Sequence, residues 1–231
     1  MIRLKEIKES LLHLFFPHCC VGCGSDLLAK NSGLCLRCLH ELPPTGFELR
    51  EDNPVEKIFI GRIPLQSAMA GYYFTKDSLM QRIMHEIKYK GNQDLARQMG
   101  RLLGNILQRS GRMKADAIVP LPLFPKKQKA RGYNQAELIA EGMSQMLNIP
   151  LLNKAVIRTQ HTETQTHKGR VERWQNMEGK FQLHNPEQTG GKHILLVDDV
   201  ITTGATLEAC GEELLKSAGA LSLASLCVAM K

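Results

Sequence analysis

Two carboxylates stand side by side at Asp198-Asp199. They follow the apolar run Ile194-Leu195-Leu196-Val197 and precede Val200-Ile201-Thr202-Thr203-Gly204-Ala205-Thr206. Carboxylates accept hydrogen bonds from hydroxyls and repel phosphates, so the acids suit the hydroxyls of a sugar. The segment after them suits a phosphate. Its threonines add hydroxyl donors, and a helix beginning there presents free N–H groups and the positive end of its dipole. Gly204 lets the backbone approach a phosphate with no Cβ in the way. These residue types describe a sugar-phosphate site running from Asp198 to Thr206. An ordinary strand-to-helix turn with capping threonines accounts for the threonines but not for two adjacent acids.

A second chemistry lies near the N-terminus. Five of the seven cysteines fall between positions 19 and 38, and Cys20-Val21-Gly22-Cys23 and Cys35-Leu36-Arg37-Cys38 form two Cys-x-x-Cys pairs. Each pair can supply two thiolates to a tetrahedral Zn²⁺ site, and four thiolates leave no open position for a substrate, so the site reads as structural. A redox Cys-x-x-Cys or a pair of disulfides are the alternatives. His18 or Cys19 could stand in for Cys20, although the spacing from Cys19 to Cys23 fits less well. So small a segment has little core material, and the metal would supply its folding free energy.

The net charge is +7, and between Arg109 and Lys180 there are 13 Lys/Arg against 6 Asp/Glu, so the whole excess is local. A local basic field suits a polyanion, either a diphosphate or a nucleic-acid backbone; a solvated surface without a ligand is the plainer alternative. A hydrophobic fraction of 43% argues against disorder. No apolar run approaches a membrane span. Lys5, Glu6, Lys8 and Glu9 interrupt the apolar period of the first sixteen residues. That stretch reads as an amphipathic helix with Ile7, Leu11, Leu14 and Phe15 inward, and the chain as cytoplasmic.

The elements that must position these groups alternate between strand and helix. A strand is expected over Ser67 to Thr75. A helix capped at Asp77 or Ser78 follows, with Leu79, Met80, Ile83, Met84 and Ile87 inward, and a second helix starts after Asp94. Ala117-Ile118-Val119 reads as a short buried strand ending at Pro120-Leu121-Pro122. Asn134 opens a helix to about Leu147. A strand over His193 to Val197, a helix over Leu207 to Ser217 and a closing strand over Leu221 to Met230 complete the series. Alternation of this kind implies an α/β fold with a mainly parallel sheet flanked by helices. Pro43-Pro44-Thr45-Gly46 reads as a break, dividing the chain into 1–46 and 47–231.

The run from Ile194 to Thr206 resembles the signature of type I phosphoribosyltransferases, which bind 5-phosphoribosyl 1-diphosphate with Mg²⁺. The resemblance extends along the chain. The double cysteine pair, then Ile87-Lys88-Tyr89, then Val119-Pro120-Leu121-Pro122, then Arg131-Gly132-Tyr133-Asn134-Gln135-Ala136 occur in order. Arg158-x3-Thr162-x2-Gln165 and Arg170-x2-Arg173-x2-Asn176 follow. This arrangement is similar to the ComF family, phosphoribosyltransferase-like proteins implicated in competence and DNA utilisation. Cys19 is an extra thiol, and Tyr133 stands where Phe is common.

The resemblance implies a type I phosphoribosyltransferase fold with a small N-terminal zinc-ribbon-like module. It implies that Lys126, Lys127, Lys129 and Arg131, after Pro120, face the diphosphate, a task their charges suit. Arg158 to Asn176 resembles the mobile loop that closes over substrate in this fold and excludes water; the alternative is a disordered surface loop. The implied reaction displaces diphosphate at the anomeric carbon by a nitrogen nucleophile through an oxocarbenium-like transition state. Mg²⁺ with Lys and Arg carries the leaving charge, and Asp198 and Asp199 hold the sugar. Two other roles fit the same residues: a phosphoribosyl diphosphate sensor, or a single-stranded DNA-binding component of DNA uptake working with a helicase. Tyr72, Tyr73, Phe74 and Trp174 could stack bases, but core packing is their more ordinary use.

Overall fold

The computed structural model describes residues 19–26, 28, 32–112, 114–159 and 180–229. The expected N-terminal helix, His18 and most of the segment from Arg158 to Asn176 lie outside the described residues. So do Thr162, Gln165, Arg170, Arg173 and Trp174 of that segment.

Four parallel strands form the central sheet: β1 (Ser67–Tyr73), β2 (Ala117–Pro120), β5 (His193–Ile201) and β6 (Ala220–Val228), in the spatial order β1-β6-β5-β2. The two inner strands are the most apolar. Ile194 to Val197 and Leu221 to Val228 are buried throughout, as expected of strands covered on both faces. The outer strands are shielded by short extended segments. The Tyr73 N–H donates to Pro43 O at 2.9 Å and the Thr45 N–H to Gly71 O at 3.0 Å along β1. The Ile118 N–H donates to Pro150 O and the Leu152 N–H to Ile118 O, both at 2.8 Å, along β2. Covered edges present no open ladder to another chain. Pro43 to Thr45, expected as a break, is thus bonded to the rim of the sheet.

The helices are placed by caps and apolar stripes. α1 (Leu36–His40) carries Cys38, and α2 (Pro54–Phe59) begins at Asn53 with a reciprocal capping box to Glu56. Ser78 caps α3 (Leu79–Tyr89), whose inward residues are Met80, Ile83, Met84 and Ile87. α4 (Gln93–Ser110) begins at Asn92, and α5 (Pro125–Arg131) is a short basic helix. Asn134 caps α6 (Gln135–Leu147). α4 and α6 cross so closely that a Cβ on Gly142 would lie 2.2 Å from Arg97 O, so only glycine allows this approach. α7 (Pro186–Thr189) and α8 (Ala205–Leu215) complete the set.

A separate antiparallel pair, β3 (Val156–Arg158) and β4 (Phe181–Leu183), sits beside α8 and sets Arg158 opposite Phe181. One expected boundary differs in a way that matters. β5 does not stop at Val197: it stays paired with β6 through Val200↔Cys227 and Ile201↔Val228, so Asp198, Asp199, Val200 and Ile201 are strand residues rather than the start of a turn. The pairing continues because β6 offers an equally long apolar partner.

Candidate functional site

Strand alternation turns the neighbouring side chains Asp198 and Asp199 in opposite directions. Asp199 meets α3, where its Oδ2 lies 3.0 Å from Lys88 Nζ, with 15% and 23% of the two side chains exposed. Burial works to lower the Lys88 pKa, but the charge and hydrogen bond of Asp199, with Asp198 beside it, outweigh burial and raise it. Asp198 accepts the Asp199 N–H at 2.7 Å. Burial, reinforced by the Asp199 charge, pushes the Asp198 carboxyl up to about 7 against the opposing pull of Lys88 and Arg158. The two acids are therefore unequal: Asp199 is paired with a lysine, and Asp198 is the one whose carboxyl burial pushes up.

Both acids line a cavity of about 150 Å³ beyond the carboxyl ends of β2 and β5, with Lys88, Arg131, Gln135 and Arg158 among its other walls. Ligands of open parallel sheets sit at this end. Leu121 to Leu123 form the floor where β2 leaves the sheet, and Asn134 Nδ2 donates to Leu121 O at 3.0 Å while its Oδ1 caps α6. Arg131 lies over the Tyr89 ring, 5.7 Å from its centroid, and donates to Gln135 Oε1 at 2.9 Å. Burial and the nearby charges of Arg158 and Arg131 lower the Lys127 pKa, so these three cations share one field. Lys126 is exposed and does not line the cavity.

The loop after β5 is held from behind. Arg62 donates from Nη1 to Thr203 O at 3.0 Å and from Nε to Glu208 Oε1 at 3.0 Å, and it lies over the Phe59 ring. Gly204 precedes α8 with φ 75° and no side chain caps the helix, so its first N–H groups are left for another acceptor. Thr202 is exposed, Thr203 and Thr206 are half-buried, and Ala205 is buried. Gly204 has a packing role that the sequence did not show. A Cβ there would lie 2.8 Å from Ile58 and Phe59, so the glycine also makes room for α2.

The four Sγ atoms of Cys20, Cys23, Cys35 and Cys38 lie within 4.8 Å of one another, and Cys23 and Cys35 are 3.6 Å apart. Four sulfurs on a tetrahedral zinc stand roughly 3.8 Å apart, given Zn–S of about 2.3 Å, so the donor set fits zinc. The Cys35 N–H points at Cys20 Sγ at 3.3 Å. Burial opposes ionisation of Cys20, but N–H donors from Cys35, Cys23 and Gly22 outweigh it and bring the thiol to about 6. The knuckle is docked on the helices: a Cβ on Gly22 would strike Leu79, and the Gly33 N–H donates to Gln98 Oε1 at 2.8 Å.

Tyr72 is buried and Tyr73 stacks edgewise on Phe47, so both serve packing rather than base stacking. Lys88 was named in the motif Ile87-Lys88-Tyr89 but without a role, and Arg62 was not legible as a site residue. A further signal for Lys88 is that it follows Met84 by four residues, which sets it at the border of the buried stripe of α3. Arg62 had none. Among the described residues no helix is long and apolar enough to cross a membrane.

A family model described as "Phosphoribosyl transferase domain" matches residues 133–231. The chain is 32% identical to "Competence protein F" of Haemophilus influenzae over 209 residues, covering 88% of this chain and 78% of that one. It is 31% identical to "DNA utilization protein YhgH" of Salmonella typhimurium over 219 residues, covering 90% and 95%. It also superposes on a glutamine phosphoribosylpyrophosphate amidotransferase from B. subtilis with a TM-score of 0.42 and 16% identity, over 62% of this chain and 30% of that one. Two long alignments at this identity, with a phosphoribosyl transferase domain built on a parallel sheet and a four-cysteine cluster ahead of it, make this chain a member of the competence protein F (ComF) family.

Proposed function

We propose that the cavity binds 5-phosphoribosyl 1-diphosphate and that the protein transfers or senses the phosphoribosyl group in the handling of DNA, the process named for its relatives. The observation that carries this reading is the polarity of the cavity. Asp198 and Asp199 line it together with Lys88, Arg131 and Arg158, so one cavity offers acceptors for sugar hydroxyls and cations for a diphosphate. Asp199, paired with Lys88, accepts a ribose hydroxyl. Arg131, with Lys127 behind it, holds the diphosphate and takes up charge as it leaves. The uncapped start of α8 after Thr202 and Thr203 receives the 5-phosphate. Magnesium binds diphosphate oxygens directly and keeps several waters, so it asks little of the protein, and bound there it would neutralise the departing group. Zinc on Cys20, Cys23, Cys35 and Cys38 would hold the cysteine knuckle against α3 and α4.

Calorimetry of phosphoribosyl diphosphate with Mg²⁺ tests the reading. Wild type binds, and Asp199→Asn binds roughly fivefold to tenfold more weakly, since charge-assisted hydrogen bonds exceed neutral ones by about 1 kcal/mol. Equal binding by both, with the fold intact, removes the sugar-holding role.

A further inference from the structure

Gln135 is the first residue of α6 and is only 2% exposed, yet it is not the helix cap; Asn134 fills that role. Its Oε1 accepts from Arg131 Nη1 at 2.9 Å. A guanidinium can only donate, so this contact fixes which end of the carboxamide is oxygen. The opposite end, Nε2, is buried and finds no acceptor among the described residues. Buried donors are almost always paired, because an unpaired one forfeits its hydrogen bonds to water. The side chain lines the same cavity as Arg131, Arg158 and the two aspartates.

Arg131 and Gln135 are thus a donor pair whose acceptor atoms are spent. The guanidinium cannot accept, and the single carboxamide oxygen already faces it. Two adjacent donors beside a cationic field suit two oxygens of one oxyanion. We infer that Gln135 is a ligand-binding residue whose Nε2 donates to an anionic oxygen of the diphosphate group, with Arg131 both orienting it and binding the same group. This rests on the phosphoribosyl diphosphate reading of the cavity. Its content is the donor itself. A neutral amide adds no charge to the site and rewards only an acceptor placed at its N–H, so it selects for the position of the diphosphate rather than for negative charge in general.

The test uses the full chain with zinc bound. Inorganic diphosphate with Mg²⁺, phosphoribosyl diphosphate with Mg²⁺ and ribose 5-phosphate are titrated by calorimetry into wild type, Gln135→Leu and Gln135→Glu. Melting temperatures are recorded for each. Gln135→Glu keeps an acceptor for Arg131 and so keeps the fold, even where Gln135→Leu does not. The expected result is a loss of at least about tenfold in affinity for diphosphate and for phosphoribosyl diphosphate in both variants. Ribose 5-phosphate, which lacks the diphosphate, changes by less than about twofold. Diphosphate affinity unchanged in Gln135→Glu overturns the inference. So does a lowered melting temperature in Gln135→Leu with affinity retained, which would make the amide a structural group. Equal loss for ribose 5-phosphate overturns the assignment to the diphosphate. Failure of wild type to bind either diphosphate compound overturns the proposed function together with this inference, whereas wild-type binding with unaffected variants overturns this inference alone.

Discussion

Asp198 is the residue on which pH acts. Its carboxyl is raised from 3.8 to about 7, chiefly by burial and then by the charge of Asp199. The sign of the linkage follows from which state holds the proton. Between those two values the folded chain binds a proton that the unfolded chain has released, so stability falls as pH rises through that window. Below it both states are protonated and the residue contributes nothing. Above it the folded state carries the whole cost of a buried charge. Asp198→Asn is isosteric and cannot ionise. In urea titrations the variant should be more stable than wild type near pH 8 and should converge with it near pH 4. A stability gap that stays constant with pH would show that Asp198 is not a buried protonated acid. The adjacency of the acids was plain in the sequence; the shift of Asp198 was not, because it comes chiefly from burial that arises only when distant elements pack around the end of β5.

At the scale of elements, β5, the loop 202–204 and α8 form one unit whose back is held by α2 and Arg62. The close approach of Gly204 to Ile58 and Phe59 gives it a packing role. Gly204→Val should therefore destabilise the protein by about 2–4 kcal/mol, summing an overpacking cost and a left-handed backbone that a branched residue tolerates poorly. A clean probe of the loop as a phosphate cradle is Thr202→Ala, at an exposed position. It should leave the melting temperature in place and weaken phosphoribosyl diphosphate binding several-fold. Thermal scans with calorimetry separate the two variants. A folded Gly204→Val protein with wild-type stability would contradict the packing described for α2. The strand-turn-helix order was legible from the apolar run and the threonines. The extra length of β5 was not, because acids are poor strand signals and only pairing with β6 keeps them in register.

Across the whole molecule, the four-cysteine knuckle shares a core with the α/β domain. Cys20, Leu34 and Cys38 are buried with Met80, Ile83 and Leu95 in one apolar cluster. One zinc per chain is expected by elemental analysis, and Cys38→Ser or chelation should lower the melting temperature of the entire chain in a single transition, because the knuckle braces α3, which carries Lys88. A second transition that leaves the α/β domain at its original stability would mean that the two units fold independently. The local basic excess adds a further expectation: a short single-stranded oligonucleotide binds with little sequence preference, and its affinity falls steeply as salt rises. Absence of binding at low salt, or binding indifferent to salt, would leave the basic residues a solubilising role.

What the sequence by itself determined is everything written in local spacing. The two cysteine pairs, the acids at the end of an apolar run, the threonine-glycine turn and the periods of α3, α4 and α6 are short-range patterns, and local backbone geometry reads them directly. The tertiary structure alone decided which distant groups meet. Lys88 on Asp199, Arg62 on Glu208 and α2 against Gly204 join segments more than a hundred residues apart. Such contacts follow from how apolar faces dock, and a charged side chain carries no mark of the partner it will find once water is excluded. The protonation of Asp198 and the direction of the Gly204 contact are consequences of that docking, and so became visible only when the chain was folded.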